Sequence, residues 1–328
     1  MYIMIIGAAG MIGRRLADRL AQAGEIGGEP ITKFTLVDVV PPAAPDTAGA
    51  EVECITADLS EAEAAPRLIK GRPDTIFHLA AIVSSDAEAN FEKGYRINLD
   101  GTRHLFEAIR VEGEISAYRP RVVFTSSLAV FGQPLPDIIP DDFVLAPLSS
   151  YGTQKAICEL LLADYSRRGF LDGVALRLPT ICVRPGKPNK AASGFYSSII
   201  REPLAGQEAV LPVPRDLRHW FASPRSAVGA LIHAGSIDLA SLGARRSLNL
   251  PGVSATVGDQ IEALRRAAGD AAVDLIRQEE DPAVFEIVSS WPRAFTAERA
   301  SGLGFTAESS MDEIIRVHIE DERGEAAE

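Results

Sequence analysis

The run YIMIIGAAGMIG, residues 2–13, limits the possible folds more than any other stretch of the chain. Tyr2–Ile6 is a short unbroken apolar run, suited to a strand covered on both faces. It leads directly into Gly7-Ala8-Ala9-Gly10-Met11-Ile12-Gly13, and Met11–Gln22 then places Ile12, Leu16 and Leu20 on one helical face. A strand that turns on glycines into a helix lets backbone amides approach an anion, and the helix N-terminus favours negative charge. Gly7, Gly10, Met11, Ile12 and Gly13 are therefore expected to hold a pyrophosphate. Their spacing, GxxGxxG, differs from the GxGxxG of most dinucleotide folds.

The alternation continues. Phe34–Val37, Val52–Thr56, Thr75–Leu79 and Val122–Thr125 read as strands, and Glu61–Lys70, Ala89–Val111 and Tyr151–Arg167 as helices. Val174–Thr180 and Ser247–Leu250 read as later strands. Short apolar strands separated by helices predict an α/β fold, a doubly wound parallel sheet of the Rossmann kind. After Ile181 the stretch VRPGKPNKAASGF is a loop by composition, and helices such as Val257–Ala268 and Met311–Ile319 follow. The expected organisation is a dinucleotide domain over residues 1–180, with a later strand near 220–250. Residues 181–219 and 251–328 form a smaller C-terminal substrate lobe.

A formal net charge of −12 and the absence of any basic run argue against a nucleic-acid partner, while leaving room for a small anion in a local cationic pocket. No apolar stretch reaches the length of a bilayer span, so no membrane partner is expected. The N-terminus has no basic lead and is broken by glycines, which does not suit a signal peptide. Cys54, Cys158 and Cys182 lie far apart without CxxC spacing and read as reduced thiols, with no metal site. The expected location is cytoplasmic.

The second strand ends in Asp38, about 25 residues beyond the glycines, where a carboxylate can accept both hydroxyls of an adenosine ribose and repel a 2′-phosphate. This favours NAD over NADP, with Arg14 and Arg15 pulling slightly the other way. Further on, SSYGTQK places Tyr151 and Lys155 at i and i+4, on one helix face. A cation beside a phenol favours the phenolate, which makes tyrosine usable as an acid or base near neutral pH.

Taken with these motifs, the chain resembles the extended short-chain dehydrogenase/reductases, the group that includes the nucleotide-sugar epimerases. GAAGMIG, Asp38, Asp58-Leu59, His78-Leu79-Ala80-Ala81, Asn98-Leu99-Asp100-Gly101-Thr102, Ser126-Ser127 and the Tyr151/Lys155 pair come in family order. AERASGLGF resembles the family's closing segment. The resemblance implies that Asp58 and Leu59 meet the adenine, that Leu79, Ala80 and Ala81 line the middle of the cofactor, and that Asn98 braces the site. It places Pro179 and Thr180 at the nicotinamide end. Ser127, ahead of LAVFG, aligns with the catalytic serine in preference to Ser126. Tyr151 would be the proton acceptor, and Lys155 would hold both phenol and nicotinamide ribose.

Leu128-Ala129 stands where sugar dehydratases carry an acidic pair, and the aromatic-Asn-x-Tyr-Gly run of many epimerases is replaced by PTICVRPGKPNK. The segment RLPTICVRPGKPNKAAS is similar to a branch that oxidises a small anionic sugar acid at its 2-hydroxyl. Arg184, Lys187, Lys190 and Arg218 are candidates for the carboxylate, and Ser84, Ser85, Asn189 and Ser193 for the hydroxyls. The alternatives are a nucleotide-sugar epimerase or reductase and a cofactor-sensing regulatory protein, the latter disfavoured because such proteins usually lose the Tyr/Lys pair. The resemblance also implies a homodimer, through the helices of Ala89–Val111 and Tyr151–Arg167.

Overall fold

A computed structural model describes residues 1–186 and 192–325. The central sheet holds β1 (Tyr2–Ile6), β2 (Lys33–Asp38), β3 (Glu51–Thr56), β4 (Thr75–His78), β5 (Arg121–Ser127), β6 (Asp172–Leu178) and β7 (Ser247–Asn249). Its order is β7-β6-β5-β4-β1-β2-β3, and β1 pairs in parallel with both β2 and β4. This is the doubly wound arrangement, with its switch point between β1 and β4. Connecting helices are α1 (Met11–Ala23), α2 (Ala64–Ile69), α3 (Gly101–Ile115) and α4 (Ser150–Arg167). β1 and β4 are almost wholly buried, which explains why their sequences are apolar runs without alternation. Ile76, Phe106, Val122, Phe124 and Leu162 pack together in one of the layers against the sheet.

The chain divides into two compact units. The first comprises Met1–Val130, Ser149–Arg177 and Val228–Leu248; the second comprises Phe131–Leu148, Leu178–Ala227 and Asn249–Glu328. The second unit has a three-stranded sheet of Thr180–Ile181, Arg218–Ala222 and Val253–Thr256, with helices Gly194–Leu204, Val257–Ala268 and Met311–Glu325. Its core gathers Tyr196, Ile199, Phe221, Ile261 and Ile314.

Three expectations differ from this architecture for physical reasons. The run Val174–Thr180 is not one strand: β6 ends at Leu178, and Thr180–Ile181 pairs instead with Phe221 and Ala222. Pro179 has no N–H to extend the first ladder. The helix expected over Ala89–Val111 is composite. Asn90, at φ −128° and ψ 75°, separates Ser84–Ala89 from Phe91–Gly94, and a π-helical turn over Tyr95–Asp100 leads into α3. Phe131–Leu148 belongs with the second unit, where Phe131 packs against Phe143 and Phe295, although it follows β5 directly in sequence. Of the strands near 220–250, only Ser247–Asn249 joins the central sheet.

Phe77 is fully buried on β4 beside β1. Phe77→Ala is expected to cost about 3–5 kcal/mol through lost transfer energy and a cavity. Urea unfolding checks this: the midpoint falls, and an unchanged midpoint would contradict the packing.

Candidate active site

The first unit brings most of the expected residues to the carboxyl ends of its strands. Gly7 leaves β1 at φ +93°, and a Cβ there would lie 2.7 Å from the amide nitrogen of Ala80. The turn therefore closes onto the chain beyond β4. Gly13 sits under the turn: a Cβ would fall 2.0 Å from the carbonyl oxygen of Gly7. Helix α1 is capped by Gly10, without a capping side chain and without an acid in its first turn. The amides of Met11, Ile12 and Gly13 thus face the turn with no side-chain carboxylate competing for an anion. Asp38 ends β2 with its carboxylate tied to the turn, Oδ2 accepting from the Ala9 amide at 2.9 Å and Oδ1 from Val39 at 2.7 Å. A cradle that only glycine fits and an anchored acid at the end of β2 suit a dinucleotide.

Asp58 Oδ1 accepts from the amide and hydroxyl of Ser60 at 2.9 and 2.7 Å, forming a tight turn after β3, and the Leu59 side chain is buried. Leu79, Ala80 and Ala81 follow β4 and are half-buried; Ser84 opens the helix Ser84–Ala89. Asn98 lies in the π-helical turn, a deviation often found at functional sites. Its Oδ1 accepts from the Ile82 amide at 2.9 Å, and its Nδ2 donates to Gln154 Oε1 at 2.8 Å. Asn98 thereby joins the chain after β4 to helix α4.

Helix α4 is started by Ser149, whose hydroxyl accepts from the Gly152 amide. Its first turns present Tyr151 and Lys155. Lys155 is 2% exposed. Its Nζ donates to the carbonyl of Thr125 at 2.8 Å and stands 5.7 Å from the centre of the Tyr151 ring and 4.6 Å from that of Phe124. Burial pushes the ammonium down to about 8, opposed by the negative charges that Cys158 and Glu159 can carry. His78 is driven down to about 3, first by burial and then by Lys155, so it stays neutral beside the Thr102 hydroxyl at 2.9 Å. The two serines at the end of β5 have different surroundings. Ser126 is buried and donates to Glu159, whereas Ser127 is half-buried and accepts from the Ala129 amide at 3.2 Å.

The second unit holds the remaining expected residues. The Thr180 hydroxyl is 2.6 Å from His219 Nε2, and the His219 ring stacks on Tyr196 at 5.2 Å. Pro179 precedes it. Arg184 is half-buried; its Nε donates to the Ile181 carbonyl at 3.1 Å and its Nη2 reaches the Ser193 hydroxyl at 3.5 Å. Arg201 donates to the Arg184 carbonyl at 2.6 Å. Arg218 is exposed on its strand and donates to the Ser254 carbonyl at 3.3 Å. Lys187, Asn189 and Lys190 lie outside the described residues. Trp220 is buried, with Nε1 donating to the Leu250 carbonyl.

Sequence reading missed Gln154, Glu159 and Arg177 as parts of the site, along with His219 as the partner of Thr180. The spacing of Glu159, four residues beyond Lys155, was a visible signal; the partners from other elements were not.

Residues 3–221 match the NAD dependent epimerase/dehydratase family, and the chain belongs to it. It is an NAD-dependent dehydrogenase. It is 50% identical over 325 residues to a D-erythronate dehydrogenase of Cupriavidus necator, covering 98% of each chain. To a D-erythronate dehydrogenase of Haemophilus influenzae it is 43% identical over 320 residues, covering 98% of this chain and 99% of the other. A crystal structure described as the nucleoside-diphosphate-sugar epimerase from Agrobacterium tumefaciens superposes with a TM-score of 0.97 at 63% identity, covering 99% of this chain and 95% of that one.

Gly13→Ala forces α1 away from the turn. NAD affinity is expected to fall at least about tenfold, the loss of one good charge-assisted contact, as read by calorimetric titration. Unaltered affinity would separate the glycine turn from cofactor binding.

Proposed function

We propose that this protein oxidises the 2-hydroxyl of a small sugar acid, D-erythronate, to the 2-oxo acid with NAD, using Tyr151, Lys155 and Ser127. The observation that carries this reading is the buried Lys155 ammonium, held by the Thr125 carbonyl next to the Tyr151 ring. The full-length similarity to two D-erythronate dehydrogenases supports the substrate.

An unperturbed tyrosine, with a pKa of about 10, is a weak base at neutral pH. A neighbouring ammonium favours the phenolate. Tyr151 takes the proton of the substrate 2-hydroxyl, and Ser127 donates to the same oxygen as it becomes a carbonyl. Bound NAD would supply the acceptor for the hydride that leaves C2. Gly7, Gly10, Met11, Ile12 and Gly13 would hold the pyrophosphate, Asp38 the adenosine ribose, and Asp58, Leu59, Leu79, Ala80, Ala81, Asn98, Pro179 and Thr180 the rest of the cofactor. Asp38, already tied to the turn by Ala9, disfavours the 2′-phosphate of NADP.

For the substrate carboxylate we take Arg184 as the partner. Its guanidinium can offer two parallel hydrogen bonds, and its backbone is fixed by Arg201 and Ser197. Arg218, Lys187, Asn189, Ser193 and Ser84 complete the candidate substrate set. The working form is a homodimer, located in the cytoplasm.

The Agrobacterium relative, by its description, supports a second reading, a nucleotide-sugar epimerase. Comparing D-erythronate, its neutral alcohol erythritol and UDP-galactose separates the two. D-erythronate alone is expected to yield NADH efficiently. Arg184→Leu should weaken its use by about 2–4 kcal/mol, mostly as a raised KM. Equal efficiency with erythritol would remove the carboxylate from the account. Conversion of UDP-galactose without net NADH would establish the epimerase instead.

A further inference from the structure

Helix α4 carries a second charged residue on the face of Tyr151 and Lys155. Tyr151, Lys155 and Glu159 follow at i, i+4 and i+8, one turn above another. Glu159 is 3% exposed, and no step described above uses its carboxylate. A buried charge needs a partner. Strand β6 supplies one: Arg177 Nε lies 2.9 Å from Oε1 and Nη2 lies 2.7 Å from Oε2, a two-pronged pair. The pair explains how the charge is tolerated but not why it is present, because apolar side chains of similar volume commonly serve stability as well.

The other contact is specific. The Ser126 hydroxyl donates to Glu159 Oε1 at 2.5 Å, and Lys155, one turn earlier, donates to the Thr125 carbonyl at 2.8 Å. Consecutive residues at the end of β5 are thus tied to consecutive turns of α4, and Ser127 is the next residue along the strand.

We propose that Glu159 is a positioning residue which, by holding Ser126, keeps the strand end that carries Ser127 in register with the helix turn that carries Tyr151. This rests on the reading of Ser127, Tyr151 and Lys155 as the reacting set. Misplacing reacting groups by a fraction of an ångström lowers turnover without removing binding.

The test uses Ser126→Ala, Ser126→Thr and the double variant Glu159→Leu/Arg177→Met, with Tyr151→Phe as the control. Turnover is followed with NAD and a panel of four-carbon sugar acids. Ser126→Ala and the double variant are each expected to lower kcat about tenfold. KM for NAD and the melting temperature stay near the wild-type values, and Ser126→Thr restores most of the turnover. A purely structural pair would be replaced by apolar residues with no change in kcat once the protein folds. If the double variant does not fold, Ser126→Ala decides alone. Wild-type kcat in Ser126→Ala, with Tyr151→Phe inactive, overturns the positioning role and leaves the functional reading standing. An active Tyr151→Phe, or a wild type that oxidises none of the panel, overturns the functional reading and this inference with it.

Discussion

The first unit depends on a buried ammonium. An isolated lysine with 2% exposure would cost several kcal/mol or lose its proton. Lys155 avoids the full penalty by donating to the Thr125 carbonyl at the end of β5 and by facing the rings of Phe124 and Tyr151. Those partners exist only if α4 lies against β5 in a single register. Burial still lowers the ammonium to about 8. Tyr151 occupies the turn before it, with Ser127 two residues beyond the carbonyl that holds it.

The glycine turn does a second job from the other side of the switch point. Gly7 closes onto Ala80, and the Ala9 amide fixes Asp38. One tight turn thereby aligns the carboxyl ends of β1, β2 and β4, where doubly wound sheets bind their ligands. Asn98 ties the chain after β4 to Gln154 on α4, which links this end of the sheet to the helix of Tyr151 and Lys155. Asn98 lies in the π-helical turn Tyr95–Asp100.

Much of this was legible in the sequence because the signals are local. Tyr2–Ile6 and Val257–Ala268 have the bounds their hydrophobic patterns indicate, and the strand, turn and helix of residues 2–23 follow from glycine chemistry. The unread parts are non-local or depend on single residues. Pro179 ends a ladder inside an apolar run, and Asn90 splits a helical pattern. Phe131–Leu148 leaves the first unit because Phe295, far along the chain, packs on Phe131. The place of Glu159 on the face of α4 was readable by spacing. That Arg177 on β6 would neutralise it was not, because strand periodicity does not say which charge meets which.

The central claim is that the bond broken is the C2–H bond of a sugar acid, with Tyr151 taking the hydroxyl proton. The most direct measurement uses D-erythronate deuterated at C2, with NAD and the wild-type protein, and weighs the reduced nucleotide by mass spectrometry. The account predicts deuterium in the NADH and a 2-oxo acid that has lost it. Unlabelled NADH, with the deuterium retained in the product, would contradict it.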